Sequence, residues 1–317
     1  MASIGKDILK AGKLLKSGHI VAIPTETVYG LAGNALRNDV VVKIFKAKNR
    51  PAFDPLICHT DNLGKIAQYV EDIPPEVEIL AKAFWPGPLT VLLPKKSVIP
   101  SLTTSGLDEV AFRIPNHPLT LELLSNLDFP LAAPSANPFG YISPTTAKHV
   151  LDRLGNELPY ILDGGECEVG IESTIIGFVE GKPTIYRLGG KQVEEIEALI
   201  GPVNVHINQS SNPSAPGMLK SHYAPKKPVV IGDIAKLIKT HKAKRIGVIS
   251  FVDHFSSIDD EFQQVLSQNR DLNEAARNLF SALRKLDDMP VDLILSERFP
   301  DEGLGRAIND RLTRASA

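Results

Sequence analysis

The 317-residue chain has two cysteines and one tryptophan, and aromatic residues make up only 6% of it. Cys58 and Cys167 have no CxxC partner. That excludes a disulfide-stapled scaffold and fits a reduced, cytoplasmic protein. So few aromatics leave little to stack on nucleic-acid bases, and a formal charge of −2 argues against a surface that grips nucleic acid everywhere. A local basic cleft is still compatible with that charge. Long apolar runs are missing as well. The best stretch, "ILAKAFWPGPLTVLL", is cut by Lys82 and two prolines, so no membrane span is expected. No signal peptide is expected either, because Ile4, Ile8, Ala11 and Leu15 recur at helical spacing between lysines and predict an amphipathic surface helix. The common phosphate and metal motifs are also absent. "GFVEGKP" (177–183) has the wrong length for a P-loop, "GLG" (303–305) lacks a third glycine, and neither HExxH nor zinc spacing occurs. A bound nucleotide would have to be neutralised by cationic side chains.

What is present reads as α/β. Residues 19–25, 55–59, 88–95, 109–115 and 129–135 are expected as strands, and 38–48, 74–85, 117–127 and 145–155 as helices. Ser143 is expected as the N-cap of the last helix, with Pro144 in its first turn. Residues 173–179 and 183–190 flank "EGK" as a hairpin. Prolines at strand ends predict an α/β sheet of mixed pairing over residues 1–203. Residues 204–227 lose all hydrophobic period and read as a linker. In residues 228–317 three strands alternate with helices, which predicts a smaller Rossmann-like domain.

Four stretches could carry chemistry. "KAKNRPAFDPLICH" (46–59) crowds Lys46, Lys48 and Arg50 at a turn that leads into an apolar strand. Cations also favour the last turn of any helix, so a solvated helix end is the competing reading. "IPTETVYGLAGNA" (23–35) sets Thr25, Glu26, Thr27 and Tyr29 just past a strand, where ligands usually sit; the same hydroxyls also suit a turn that bonds its own backbone. In "AAPSANPFG" two prolines pin Ser135 and Asn137. "GIESTIIGF" puts Glu172, Ser173 and Thr174 at a strand start, where a plain strand entry is the simpler reading. Arg113 and Arg187, embedded in apolar strands, each require an anion, from the protein or from a ligand.

"PTETVYGL", "KAKNRPAFDPL", "WPGPLT", "FRIP", "APSAN", "GIESTII" and "YRLG", in this order, resemble the YrdC-like domain of the L-threonylcarbamoyladenylate synthases. "APGMLKSHYAP" and "ERFPDEGLGRAINDRLTRA" resemble the longer, two-domain members. The resemblance implies an open, twisted sheet with a deep, positively charged cleft in the first domain, and a nucleotidyltransferase that joins ATP, L-threonine and bicarbonate or CO2 into threonylcarbamoyl-AMP, releasing pyrophosphate. It implies Mg2+ carried by the ATP phosphates, and a downstream tRNA threonylcarbamoyl transferase complex that takes the product. By motif position, Lys48 and Arg50 meet the triphosphate. Thr25, His59, Arg113 and Ser173 fall where the family handles threonine. Ser135, Asn137 and Arg187 fall where it contacts the nucleotide, with Thr104 a further candidate. The linker around His222 and Tyr223 is expected to fold over the cleft and keep water from the product. His59 could serve as a base or as an orienting group, and carbamate formation without dedicated acid–base help favours orientation. Asp54 departs from the Asn common in the family; facing the cleft it would weaken triphosphate attraction, and facing solvent it would matter little. The competing functions are an RNA-binding module with salt-sensitive affinity, and a carbamoyl-transfer enzyme.

Overall fold

The computed structural model describes residues 1–206 and 222–317. Among them the larger sheet has eleven strands. These are β1 (Ser3–Gly5), β2 (Val21–Ile23), β3 (Gly30–Asn34), β4 (Ile57–His59), β5 (Leu89–Pro94) and β6 (Glu109–Arg113). The remainder are β7 (Leu131–Ala132), β8 (Tyr160–Leu162), β9 (Thr174–Val179), β10 (Lys182–Arg187) and β11 (Asn204–Val205). Their spatial order is β1-β8-β2-β3-β7-β4-β6-β5-β9-β10-β11. Parallel pairs such as β4/β6 and β5/β9 alternate with antiparallel ones such as β3/β7 and β5/β6, so the sheet is mixed as expected.

Short strands make register decisive. Ile57 and His59, two residues apart, share one face of β4, while Cys58 between them joins Phe112 in the core under the helices. The parallel register sets His59 beside Arg113. A bridge sets Gly30 opposite Ser135, and Leu89 of β5 stands opposite Thr174. The Asn38–Lys48 helix, with the expected bounds, buries Val40, Val41, Ile44 and Phe45. It stops where Asn49 turns left-handed, at φ 52°, which releases the cation turn toward β4.

The second sheet is β12 (Val229–Ile231), β13 (Ile246–Ser250), β14 (Gln263–Val265) and β15 (Leu293–Ser296), all parallel, in the order β12-β15-β13-β14. Helices Leu272–Asp288 and Gly303–Ala315 pack with it. Its core is shared with the first part of the chain: Val28, Ile142 and Ile171 join Phe280, Leu283 and Ile308 in one cluster. Gly170, at φ 74°, shows how close the contact is. A Cβ there would lie 2.4 Å from the Arg277 backbone, so only glycine fits under the long helix.

Several expectations differ in detail. Ile4 lies in β1, and the amphipathic helix begins at Ile8. The Ala147–Leu154 helix is capped by Thr146, which accepts the His149 N–H at 3.2 Å; Ser143 is diverted to Glu172. β3, β8 and β14 were not anticipated, and β11 lies inside the segment read as linker, paired with Thr184 and Ile185 of β10. Of that segment, residues 207–221 lie outside the described residues.

Candidate functional site

A cavity opens over the β4/β6/β9/β10 region of the first sheet, and nine of the twelve residues that the resemblance places at the site line it. They are Thr25, Arg50, His59, Arg113, Ser135, Ser173, Arg187, His222 and Tyr223. Lys48, Asn137 and Thr104 do not.

The cation turn separates its members. Lys46 is exposed, as the solvated reading has it. Lys48 is buried, and its Nζ donates to the backbone carbonyls of Ser135 and Asn137, so it fastens the proline-bounded turn from behind. Burial, with Arg50 nearby, holds the Lys48 ammonium well below the ordinary lysine range. Arg50 reaches the cavity. Its Nε donates to Asp54 O at 3.0 Å, Nη2 donates to Pro55 O at 2.8 Å, and the Asp54 carboxylate lies 2.9 Å away. Asp54 is fully buried. It therefore takes neither expected position and instead fixes the guanidinium.

Arg113 finds its anion in Glu26, with Nη2 2.7 Å from Oε2, while Nη1 donates to Thr27 Oγ1 at 2.8 Å. Glu26 also accepts the Asn116 N–H at 3.0 Å. His59 is buried, and its Nδ1 has no hydrogen-bond partner among the described residues. Burial first, and Arg113 second, push it down to about 3, so it is neutral at physiological pH. For Thr25 the two readings coincide. Its hydroxyl donates to Val28 O at 2.7 Å and accepts the Thr27 and Val28 N–H groups, both at 3.2 Å, while the residue lines the cavity.

At the start of β9, Ser173 meets Arg187 of β10. Arg187 Nε donates to Ser173 O and Nη2 to Ser173 Oγ, both at 3.0 Å. The Ser173 hydroxyl is also 2.7 Å from Thr90 Oγ1. No carboxylate lies within ion-pair distance of Arg187 among the described residues, and burial lowers it to about 10. Glu172, read as a strand entry, also lines the cavity. Burial alone would raise its carboxyl, but Arg311, Arg187 and the Ser143 hydroxyl hold it below its ordinary value.

Asn137 is fully buried beneath its turn, where Nδ2 donates to Pro138 O and Tyr141 O at 2.8 Å each. Thr104 donates to Leu107 O at 2.8 Å and accepts from Lys95 Nζ at 2.7 Å, away from the cavity. His222 and Tyr223 sit edge to face, 4.3 Å between ring centres, and His222 also meets the edge of Phe139. Arg311 and Arg314 escaped the sequence reading. Their guanidiniums stand 5.1 and 4.9 Å from the Tyr223 ring centre. A signal existed, since Arg311 falls at helical spacing with Leu304, Ile308 and Ala315 on the buried face of its helix.

Chemically, the cavity gathers three buried guanidiniums, a neutral imidazole and several hydroxyls. Two of the guanidiniums are paired with protein carboxylates, while Arg187 is held by Ser173.

The family model described as "Telomere recombination", for Sua5, YciO and YrdC proteins, matches residues 13–189. The model for "Threonylcarbamoyl-AMP synthase, C-terminal domain" matches residues 192–317. The threonylcarbamoyl-AMP synthase of Pyrococcus abyssi is 42% identical over 321 residues, covering 96% of this chain and 93% of that protein. The Bacillus subtilis threonylcarbamoyl-AMP synthase is 39% identical over 320 residues, covering 98% and 92%. The crystal structure of P. abyssi Sua5 complexed with L-threonine aligns at a TM-score of 0.93 and 40% identity, over 100% of this chain and 97% of that one. Full-length HypF in its phosphate- and nucleotide-bound form shares the fold alone over 58% of this chain and 29% of its own, at 24% identity and a TM-score of 0.52. The chain belongs to the Sua5 family of threonylcarbamoyl-AMP synthases.

Proposed function

We propose that this protein makes L-threonylcarbamoyladenylate from L-threonine, ATP and CO2, or bicarbonate with loss of one water, releasing pyrophosphate, as a nucleotidyltransferase of tRNA threonylcarbamoyladenosine synthesis. The observation that carries this reading is the cavity itself, where Arg50, Arg113 and Arg187 converge with Ser173, Ser135, Thr25 and neutral His59. The threonine nitrogen attacks carbon dioxide and loses a proton, giving a carbamate. A carbamate oxygen then attacks the α-phosphorus, and the bond to the bridging oxygen breaks as pyrophosphate leaves. Neither step needs a covalent enzyme intermediate. The protein's tasks are alignment and charge stabilisation.

Arg50 and Arg187 suit the phosphates, since both are held rigidly by backbone carbonyls. Arg113 suits the threonine carboxylate, with Glu26 setting its orientation. Thr25 and Ser173 are proposed to complete the threonine site, and Ser135 the nucleotide site. His59 fits an orienting role. A base whose conjugate acid lies near 3 takes a proton from an ammonium only at great cost. Lys48 and Asn137 act through the turn they secure. The carboxylate on the cavity wall, Glu172, is taken up by Arg311 and Ser143. Mg2+ is therefore proposed to arrive on the triphosphate, held by phosphate oxygens, where it neutralises charge. Among the described residues no helix is long and apolar enough to cross a membrane. We place the reaction in the cytoplasm, with the product passed to a tRNA threonylcarbamoyl transferase complex.

The test is to incubate the pure protein with ATP, Mg2+, labelled bicarbonate and each amino acid in turn. Threonine-dependent pyrophosphate release, with label in a nucleotide product, supports the synthase. Salt-sensitive tRNA binding without pyrophosphate from any amino acid would replace it with an RNA-binding module.

A further inference from the structure

The Gly303–Ala315 helix delivers a guanidinium from the second part of the chain to the rear of the cavity wall. Arg311 is fully buried, and a buried charge survives only when it is paired. Its Nε donates to Glu172 Oε2 at 3.0 Å, and Nη1 donates to Leu188 O at 2.7 Å and to Asp310 Oδ2 at 2.8 Å. The other Glu172 oxygen accepts the Ser143 hydroxyl at 2.5 Å. Among the described residues Glu172 is the one carboxylate lining the cavity. That is an odd neighbour for a polyphosphate, because a bare negative charge beside Arg187 would oppose the ligand that Arg187 and Arg50 are placed to attract.

We propose that Arg311 is a charge-screening, positioning residue of the ATP site: it neutralises Glu172 from behind, so that the polyphosphate meets a wall with net positive charge. The second domain thereby takes part in substrate binding through one side chain that touches no substrate. This rests on the synthase reading given above. A plain rivet between the two parts is the competing account, and the molecule has such a rivet elsewhere. Arg306 pairs with Glu194 at 2.5 Å, partly exposed and outside the cavity lining.

Arg311→Met is expected to raise KM for ATP tenfold or more while KM for threonine moves less than threefold. Arg306→Met, the rivet control, leaves both within twofold. Glu172→Gln added to Arg311→Met removes the stranded charge and brings KM for ATP back to within threefold of the parent. Equal rises in both KM values, or a double variant as weak as Arg311→Met alone, would overturn the proposal in favour of a rivet. Should Arg311→Met fail to fold, the equally uncharged Arg311→Gln, with and without Glu172→Gln, gives the same reading. A parent enzyme without threonine-dependent pyrophosphate release would break the synthase reading instead. Calorimetric ATP binding by the parent and the Arg311 variants then decides the screening by itself, an unchanged affinity refuting it.

Discussion

The cation turn and the corner where β9 meets β10 each bury a guanidinium at the same cavity, by different routes. At the turn, Arg50 is held by the backbone and carboxylate of Asp54, four residues on. At the corner, Arg187 is held by Ser173, 14 residues back, and the adjoining Glu172 by Arg311, 139 residues on. The first arrangement is local, and the helix end and Pro51 set its geometry. The second exists only once β9, β10 and the final helix have assembled. The turn is the part of the site that local chain chemistry can pre-form, whereas the corner depends on the whole fold.

The largest expected effect breaks the turn. Arg50→Ala should lower kcat/KM for ATP by about 100-fold, the scale for losing one preorganised charged donor. It should also destabilise the protein by about 3–5 kcal/mol, because the buried Asp54 carboxylate loses its ion pair with Arg50. Arg50→Ala with Asp54→Asn separates the two effects: denaturant midpoints recover while pyrophosphate release stays slow. Full activity in the single variant would end the role proposed for the turn.

Lys48→Met sharpens the contrast two residues away. Here the side chain serves two carbonyls, so stability should fall by about 2–5 kcal/mol in urea unfolding. Activity should fall only about 10-fold, through a loosened Ser135–Asn137 turn. An activity loss as large as that of Arg50→Ala, in a protein of unchanged stability, would make Lys48 a direct phosphate ligand.

The same contrast marks what could be read from the chain. The Asn38–Lys48 helix, the hairpin around Gly181 and the presence of most site residues in one cavity were legible, since periodicity, turn residues and a motif series encode them locally. The division of labour inside "KAK" was not, because which lysine is buried depends on a turn 87 residues away. Thr146 displaced Ser143 as N-cap for a similar reason, a distant carboxylate claiming the serine. Glu172 looked like a strand entry because its partner sits on the final helix. β14, with two glutamines in three residues, carries no apolar signal of its own and forms by pairing with β13.

His59 stands between the two regions, and pH probes it. Its folded value, about 3, lies below the usual 6.5 of an unfolded histidine. Between those values the unfolded chain binds the extra proton, so stability is full above pH 6.5 and lost as pH falls toward 3. His59→Gln should therefore reduce the slope of unfolding free energy against pH by about 1.4 kcal/mol per unit over pH 4.5–6. His149, lowered to about 4 by burial, leaves a residual slope of the same sign. An unaltered slope would mean that His59 is already solvated or charged in the native state.

The smallest expected effect concerns Thr104, placed by motif with the nucleotide and by the fold outside the cavity lining. Its hydroxyl is engaged on both sides, donating to Leu107 O and accepting from Lys95 Nζ, within a tight run of turns. Thr104→Val keeps the shape and removes those bonds, with a longer one to Ser101 O at 3.4 Å. Stability should drop by about 1 kcal/mol, the net worth of a buried hydrogen bond, and kcat/KM for ATP should stay within twofold. A tenfold loss at unchanged stability would require the 101–107 segment to swing onto the nucleotide during turnover. The cavity would then be assembled from both local and distant pieces only when ATP is bound, and the distinction between turn and corner would dissolve.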